Sequence, residues 1–371
     1  MTNNIKILHI AECAGGVDRY LEMLLPLLEN EYEQIFICSY NYDMEKYQDI
    51  VNKVYQLDIK QTLLPFRVMR DVLKIRRILI KEKPVIVYCH SSFAGALGRL
   101  ACIGLDLKIV YNPHGWAFNM VGRKAIVYKG IEKGLSKITD VIVCISKSEY
   151  MSAINNGFNK NKLRVIENGI DVKSVQNANP YSREELGIPA NAYIVGMVGR
   201  LTPQKAPDVF IQAAKLINEQ IDNAFFIIVG CGDEEDEIIK FARENNIHLL
   251  VTGWTHSPYS YLKLFDVALL LSRWEGFGLA VAEYMVAHKP IIATRVDAIP
   301  TLIEDNVDGF LVSVNSPKEV AQKVLYIYNN KEEMDLMTKK AYLKGVEKYD
   351  IHRVAEQHIK MFAHLISCKD V

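Results

Sequence analysis

"YIVGMVGRLTPQKAPDVF", residues 193–210, opens on a run in which polar and apolar positions do not alternate, turns at Gly199, and reaches Pro207 before apolar residues resume. A strand that is apolar throughout is buried on both faces, and proline suits the first turn of a helix. The stretch therefore predicts a buried strand, a glycine turn and a helix. The same grammar recurs along the chain. "IKILHI", "QIFICSY", "KVYQLD", "VIVYCH", "KIVYNPH", "VIVCIS" and "RVIENG" precede it, and "FFIIVG", "HLLVTG", "VALLLS", "PIIAT" and "GFLVS" follow. Helical segments between such runs make the sheets parallel, so the fold class is α/β with two doubly wound, Rossmann-like domains. Periodicity stops in "NGIDVKSVQNANPYSREELGIPANA", which places a linker near residues 172–190 and the domains at 1–172 and 173–350.

Composition agrees with two globular domains: 371 residues, 50% hydrophobic and 24% charged, are too many for one comfortable core. The longest apolar runs, such as "FDVALLLS", are too short to span a membrane, and the apolar stretch after Lys6 is too short for a signal peptide. The expected location is cytoplasmic. Seven cysteines without a C-x-x-C read as reduced core thiols. His352, His358 and His364 advance six residues at a time and cannot share a helical face, so no metal site is expected, and nothing suggests a nucleic-acid module. Residues 1–180 carry 24 Lys/Arg against 18 Asp/Glu, and the remainder 20 against 26, so the front half suits an anionic partner. Within it, residues 62–83 form a basic amphipathic stretch, with Arg67, Arg70, Lys74, Arg76, Arg77 and Lys81 above Leu64, Val68, Val72, Ile75 and Leu79. That pattern suits either contact with anionic lipid headgroups or a packed domain helix with a solvated face.

Ligands of open parallel sheets bind outside the carboxyl ends of strands, so the residues that end each run are the functional candidates. Gly15 and Gly16 follow the first run and precede an amphipathic helix, where a backbone can approach an anion closely. Gly199 is followed by Arg200 and Lys205, two cations suited to a diphosphate, and Gly230 and Gly232 make a further turn. Trp254, after Gly253, reads as a core-edge tryptophan or as the border of a base pocket. In "LSRWEGFGLAVAEYMVAHKP", residues 271–290, Glu275, Gly276, Phe277 and Gly278 form a loop, a helix begins near Leu279, and Glu283 lies on that helix. Carboxylates accept hydrogen bonds from paired hydroxyls, so one glutamate suits a sugar and the other a ribose. With two cations for a diphosphate, the ligand that fits all four charges is a nucleotide sugar.

The combination of "GGVDRYLEMLL", "NPHGWAF", "SKSEY", "NGID", "GRLTPQKAPD" and E-x7-E in "EGFGLAVAE" resembles the retaining glycosyltransferases of family 4, from about residue 5 to residue 315. The resemblance implies a GT-B fold, two such domains facing across a cleft, with the final helix at 351–371 crossing back onto the front domain. It implies that Arg200 and Lys205 bind the donor diphosphate, Glu283 the ribose and Glu275 the hydroxyls of the donor sugar. Gly199, Gly230, Gly253, Gly276, Phe277, Gly278 and Leu279 complete the donor site. Gly15, Gly16 and His114 belong to the acceptor side, Gly16 also near the phosphate and His114 lining the transferred sugar. Such enzymes need no cofactor and typically no metal, and no D-x-D is present. The implied acceptor is a glycan or polyprenyl-diphosphate-linked acceptor of capsule or exopolysaccharide assembly, and the basic front domain suits peripheral contact at the inner face of the cell membrane. A nucleotide-sugar epimerase or hydrolase on the same fold, or a binding module without chemistry, remain the alternatives. This chain departs from the pattern with "RVDAIPTLIE", where many relatives have Gly-Gly and a Glu, and with His288, where glycine is common.

Overall fold

The structure, a computed structural model, describes residues 5–13, 15–62, 64–119, 122 and 124–367. The chain divides into two compact units, a front unit of Met1–Gly169 with Ile351–Val371 and a back unit of Ile170–Asp350.

In the front unit, strands β1 (Lys6–Ala11), β2 (Glu33–Ser39), β3 (Lys53–Leu57), β4 (Ile86–His90), β5 (Lys108–Asn112), β6 (Val141–Cys144) and β7 (Leu163–Val165) form one sheet in the order β3-β2-β1-β4-β5-β6-β7. Every pairing is parallel, for example Leu8 with Ile35 on one side and with Val87 on the other. Alternate side chains leave the sheet on opposite faces. Leu8 and Ile10 join Ile75 and Leu79 of the Pro65–Glu82 helix and Ala94 and Leu97 of the Ser92–Ala101 helix. Ile7 and Ala11 join Tyr20, Leu21 and Leu24 of the Gly16–Leu24 helix and Val354 and Phe362 of the terminal helix Ile351–Ser367. Burying an apolar side chain of this size stabilises by roughly 1.5–3 kcal/mol, so the terminal helix is an integral part of the front core. Residues 368–371, the end of the helix expected at 351–371, lie outside the described residues, as does Cys368.

The back unit repeats the architecture with β8 (Tyr193–Val198), β9 (Ala224–Val229), β10 (Leu249–Val251), β11 (Val267–Leu270), β12 (Ile291–Thr294) and β13 (Phe310–Val312), in the order β10-β9-β8-β11-β12-β13 and all parallel. Among the described residues no helix is long and apolar enough to cross a membrane, and the six described cysteines are free thiols.

Of the two readings open for residues 62–83, this stripe takes the packed one: in the Pro65–Glu82 helix Val72, Ile75 and Leu79 are buried in the core with Val68 packed against it, while Leu64, just before the helix, is exposed. One expectation is corrected. Trp254 is 69% exposed and stacks edge-on with His256, so it is not a core-edge residue. His288 has φ 56° and its ring stacks on Tyr342, so it occupies a turn position of the kind glycine favours.

Candidate functional site

In the back sheet the strand order reverses between β8 and β11, and a crevice forms outside the carboxyl ends at such a point. The β8 strand feeds Gly199 and Arg200, and β11 feeds the loop from Ser272 to Gly278. The two loops are laced together. Arg273 donates its backbone N–H to Gln204 O (2.8 Å), Nη1 to Pro203 O (2.7 Å) and Nη2 to Asp208 Oδ2 (2.6 Å), while Gln204 Nε2 donates to Trp274 O (3.0 Å). From above, the hydroxyl of Tyr284 accepts from Val198 N (2.8 Å) and donates to Leu269 O (3.2 Å), which joins the ends of both strands to the Leu279–Val286 helix.

This lacing positions the charged residues. Lys205 Nζ pairs with Glu275 Oε1, which also accepts from Ser272 Oγ (2.7 Å), and the backbone N–H of Glu275 donates to Asp297 Oδ2 (2.8 Å). Glu275 is buried and Lys205 half-buried, so each screens the other's charge where water is scarce. Arg200 is exposed and has no side-chain partner among the described residues. Gly278, at φ 97°, starts the Leu279–Val286 helix with no side-chain cap, and Glu283, one turn in, is buried and accepts from the hydroxyl of Tyr259 (3.0 Å). The two glutamates are thus held differently, Glu275 on a loop beside a cation and Glu283 on a helix beside a phenol. Phe277 is buried, its ring edge-on to Tyr349, and Leu279 is half-buried. Gly230 ends β9 and bridges to Gly253. Its φ is 144°, and a Cβ there would lie 2.1 Å from Gly199 O, so only glycine lets these turns touch.

In the front unit the reversal falls between β1 and β4. Glu12 spans it, its carboxylate accepting from Ser91 Oγ, from Ala94 N (3.0 Å) and from Gln61 Nε2 (3.2 Å). Burial raises the pKa of this carboxyl, and those hydrogen bonds oppose the rise. Gly15 precedes the Gly16–Leu24 helix at φ 88°, and at Gly16 a side chain would meet nothing within 4 Å. Past β5 the chain turns through His114, at φ 50°, and Gly115. Glu149 holds this turn: it accepts from Gly115 N (2.7 Å) and Ile145 N (2.7 Å), and its carbonyl accepts from Trp116 Nε1 (3.0 Å). Burial pushes its carboxyl up to about 7, again against two backbone hydrogen bonds.

Behind His114 lies a buried row of rings. His114 Nε2 is 3.1 Å from His90 Nδ1, and His90 Nε2 is 3.2 Å from His9 Nδ1. Tyr20 stands edge-on to His114 with centroids 5.0 Å apart. The hydroxyls of Tyr20 and Tyr88 lie 3.2 and 3.0 Å from His358 Nε2, and His358 Nδ1 donates to Val354 O (2.8 Å). Burial, aided at His9, His90 and His114 by neighbouring imidazoles, pushes His9 and His114 down to about 3, His358 to about 4, and His90 well below its ordinary value. All four are neutral at pH near 7.

The structure brings Gly199, Arg200, Lys205, Gly230, Gly253, Glu275, Gly276, Phe277, Gly278, Leu279 and Glu283 to the loops and helix at one edge of the back sheet, and Gly15, Gly16 and His114 to the corresponding edge of the front sheet. Sequence reading missed Asp297, Tyr259 and Tyr284 behind the glutamates and Glu12, Glu149, His9 and His90 behind the front loops. His90 ends the run "VIVYCH", a strand-end position that carried a signal, whereas His9 inside "IKILHI" carried none. Among the described residues no cluster of His, Cys, Asp and Glu could hold a metal ion.

Residues 179–344 match the family model described as Glycosyl transferases group 1, and residues 14–174 match that of Glycosyltransferase Family 4. The chain is 30% identical over 365 residues to UDP-Gal:alpha-D-GlcNAc-diphosphoundecaprenol alpha-1,3-galactosyltransferase of Escherichia coli, covering 94% of each chain. It is 29% identical to the O-antigen biosynthesis glycosyltransferase WbnH of Escherichia coli, over 86% of this chain and 88% of that one. In fold it is similar to Anabaena Alr3699/HepE in complex with UDP-glucose, with a TM-score of 0.82 and 18% identity, over 97% of this chain and all (100%) of the other.

Proposed function

The chain belongs to the GT-B glycosyltransferases of family 4, and from that premise we propose that it moves a sugar, with retention and without a metal ion, from a nucleoside diphosphate to a glycan or polyprenyl-diphosphate-linked acceptor in bacterial cell-surface polysaccharide assembly. The observation that carries this reading is the back-unit loop pair, in which Lys205 and the buried carboxylates Glu275 and Glu283 are held by named partners and Arg200 follows the strand end, all around one strand-order reversal. Arg200 and Lys205 hold the diphosphate, Glu283 the ribose and Glu275 the hydroxyls of the transferred sugar. Backbone at Gly199, Gly230, Gly253 and Gly276–Leu279 lies close to the donor. Gly15, Gly16 and His114 serve the acceptor and the transferred sugar.

Chemically, breaking the sugar–phosphate bond leaves negative charge on the diphosphate, and preorganised cations stabilise that charge best as it develops. Arg200, exposed and without a side-chain partner among the described residues, is available to a phosphate oxygen. Lys205 is shared with Glu275, so the diphosphate and the sugar-facing carboxylate are read by one cation. No nucleophilic side chain is assigned: the acceptor attacks the face that the leaving group vacates, and a donor phosphate oxygen takes its proton. The relative named for UDP-Gal and the HepE complex with UDP-glucose favour starting with uridine nucleotides. The test is incubation of nucleotide sugars with and without lipid-diphosphate-linked acceptors. Acceptor-dependent nucleotide release supports transfer. Acceptor-independent turnover indicates an epimerase or hydrolase, binding without turnover indicates a module, and either result overturns the reading.

The front unit also has a surface suited to the membrane that would carry such an acceptor. On the Pro65–Glu82 helix, Phe66 (81% exposed), Met69, Leu73 and Ile80 face outward with Arg67, Arg77 and Lys81. On the Lys124–Ser136 helix, Ile126, Val127 and Ile131 do so with Lys124 and Lys133. Both helices pack on the Ser92–Ala101 helix. Their acids are all turned inward and paired: Asp71 with Arg70, Glu82 with Lys53, and Glu132 with Arg99. An outward face of cations and apolar side chains without a carboxylate fits an anionic lipid surface, each cation adding about 1 kcal/mol near it. Such a surface supports the reading of a cytoplasmic enzyme peripheral to the inner face of the cell membrane. Flotation with phosphatidylglycerol vesicles, lost in phosphatidylcholine and in F66S/M69S, supports this contact, and equal recovery in all three refutes it.

A further inference from the structure

His9, His90 and His114 form a row of three imidazoles joined by single hydrogen bonds of 3.2 and 3.1 Å. His9 and His90 are fully buried and His114 is partly exposed. The inner end of the row, His9 Nε2, has no hydrogen-bond partner among the described residues. The outer end, His114 Nδ1, has none among the described residues. Each neutral imidazole carries one N–H and one acceptor nitrogen, so the row has two self-consistent proton arrangements. With protons directed inward, His114 Nε2–H donates to His90, His90 Nε2–H donates to His9 Nδ1, and His9 is left with an N–H at Nε2 buried without an acceptor. With protons directed outward, His9 Nδ1–H donates to His90 Nε2, His90 Nδ1–H donates to His114 Nε2, and only an unused lone pair remains on His9. Orphaned buried N–H groups are rarer than under-used acceptors, and one costs about 1–3 kcal/mol. That difference favours the outward arrangement by roughly 5- to 150-fold.

We propose that His90, whose inner face is closed off from water by His9, is a positioning residue that fixes His114 as the tautomer with its proton on Nδ1, so that His114 offers its ligand a hydrogen-bond donor and cannot act as a base. The ligand of that N–H is an oxygen of the transferred sugar or of the departing phosphate. This last step rests on the assignment of His114 to the donor sugar, whereas the tautomer does not. Burial keeps all three rings neutral, so the donor persists across the physiological pH range. The arrangement also agrees with a mechanism in which the acceptor proton goes to phosphate, because His114 Nε2 is already occupied by His90.

The test is long-range 15N–1H correlation on the full chain labelled with 15N-histidine, with His114 assigned by its absence in H114Q. The expected spectrum has His114 Nδ1 protonated and Nε2 bare, and the reverse overturns the proposal whether or not the protein proves to be a transferase. His90→Asn places an amide N–H close to where Nδ1 donates to His114 and should preserve the tautomer. His90→Leu removes that donor and should convert part of the His114 population to the Nε2–H form. With an acceptor in hand, H90L should lower kcat about tenfold with little change in donor KM, and H90N should restore most of it. Equal kcat in H90L and wild type, or equal loss in H90L and H90N, would show His90 to be structural filling. Should H90L fail to fold, the wild-type spectrum and H90N still decide the question.

Discussion

Acidification should destabilise the front unit by an amount that its histidine cluster sets. His9, His90, His114 and His358 all have folded pKa values below their ordinary 6.5 because burial opposes charging. For a group depressed on folding, the stabilising contribution is complete above the unfolded pKa and is lost as pH falls toward the folded value. Going from pH of about 7 to about 5.5, each ring loses on the order of 1 kcal/mol, so the four together lose several kcal/mol. Glu149 acts in the opposite sense: its raised carboxyl contributes fully below about 4.5 and loses that contribution as pH rises through about 7. Over the same interval it returns on the order of 1–2 kcal/mol, and the raised carboxyl of Glu12 acts in the same sense, so the net loss is on the order of a few kcal/mol, a sizeable part of the usual roughly 5–15 kcal/mol. Trp116 is buried in the front core while Trp254 and Trp274 are exposed in the back unit, so W254F/W274F gives a fluorescence signal for the front unit alone. Urea titrations of that variant near pH 7 and 5.5 should show the loss. A midpoint that stays constant or rises on acidification would refute the neutral, buried cluster.

Three further outcomes follow from the back-unit geometry. Arg200→Ala removes a cation without unpairing a carboxylate, so it should slow turnover about 10²-fold with an unchanged melting temperature, whereas Lys205→Ala should also destabilise because it strands buried Glu275; near-normal turnover in both would remove them from the mechanism. Glu283→Gln should weaken binding of the nucleoside diphosphate product in calorimetry, and Glu275→Gln should slow single-turnover transfer without weakening that binding; equal effects on nucleotide affinity would deny the division of roles. Gly230→Ala should cost about 2–4 kcal/mol in denaturant titration, because its Cβ would lie 2.1 Å from Gly199 O, and a loss below about 0.5 kcal/mol would mean that the turn is less confined than described.

Much of the fold was legible because doubly buried strands leave unbroken apolar runs. "YIVGMV" and "AFFIIV" are strands β8 and β9 with nearly every side chain buried, and the glycines of "EGFG" do feed a helix that begins at Leu279. What the runs could not convey was which faces meet. The apolar stripe of the Pro65–Glu82 helix noted in sequence proved to be its core face, while Phe66, Met69 and Leu73, interleaved with cations, face outward. Both sets satisfy helical periodicity, and only packing on the Ser92–Ala101 helix separates them. In the site, charged residues at strand ends were legible singly. Their pairing was not: Lys205 meets Glu275 from 70 residues away, and Asp297, in the segment that departs from the family pattern, holds the Glu275 backbone. The imidazole row joins strands β1 and β4 and the turn after β5, and its register depends on strand order, which no local pattern encodes.

The account stands most directly on the fate of the donor sugar. Proton NMR of the wild-type protein with a uridine diphosphate sugar, a lipid-diphosphate-linked acceptor and excess chelator should show the donor anomeric signal decay only when acceptor is present. It should be replaced by a product signal of the same anomeric configuration. An inverted product, decay without acceptor, or activity that chelator abolishes and magnesium or manganese restores would contradict retaining transfer driven by Arg200 and Lys205.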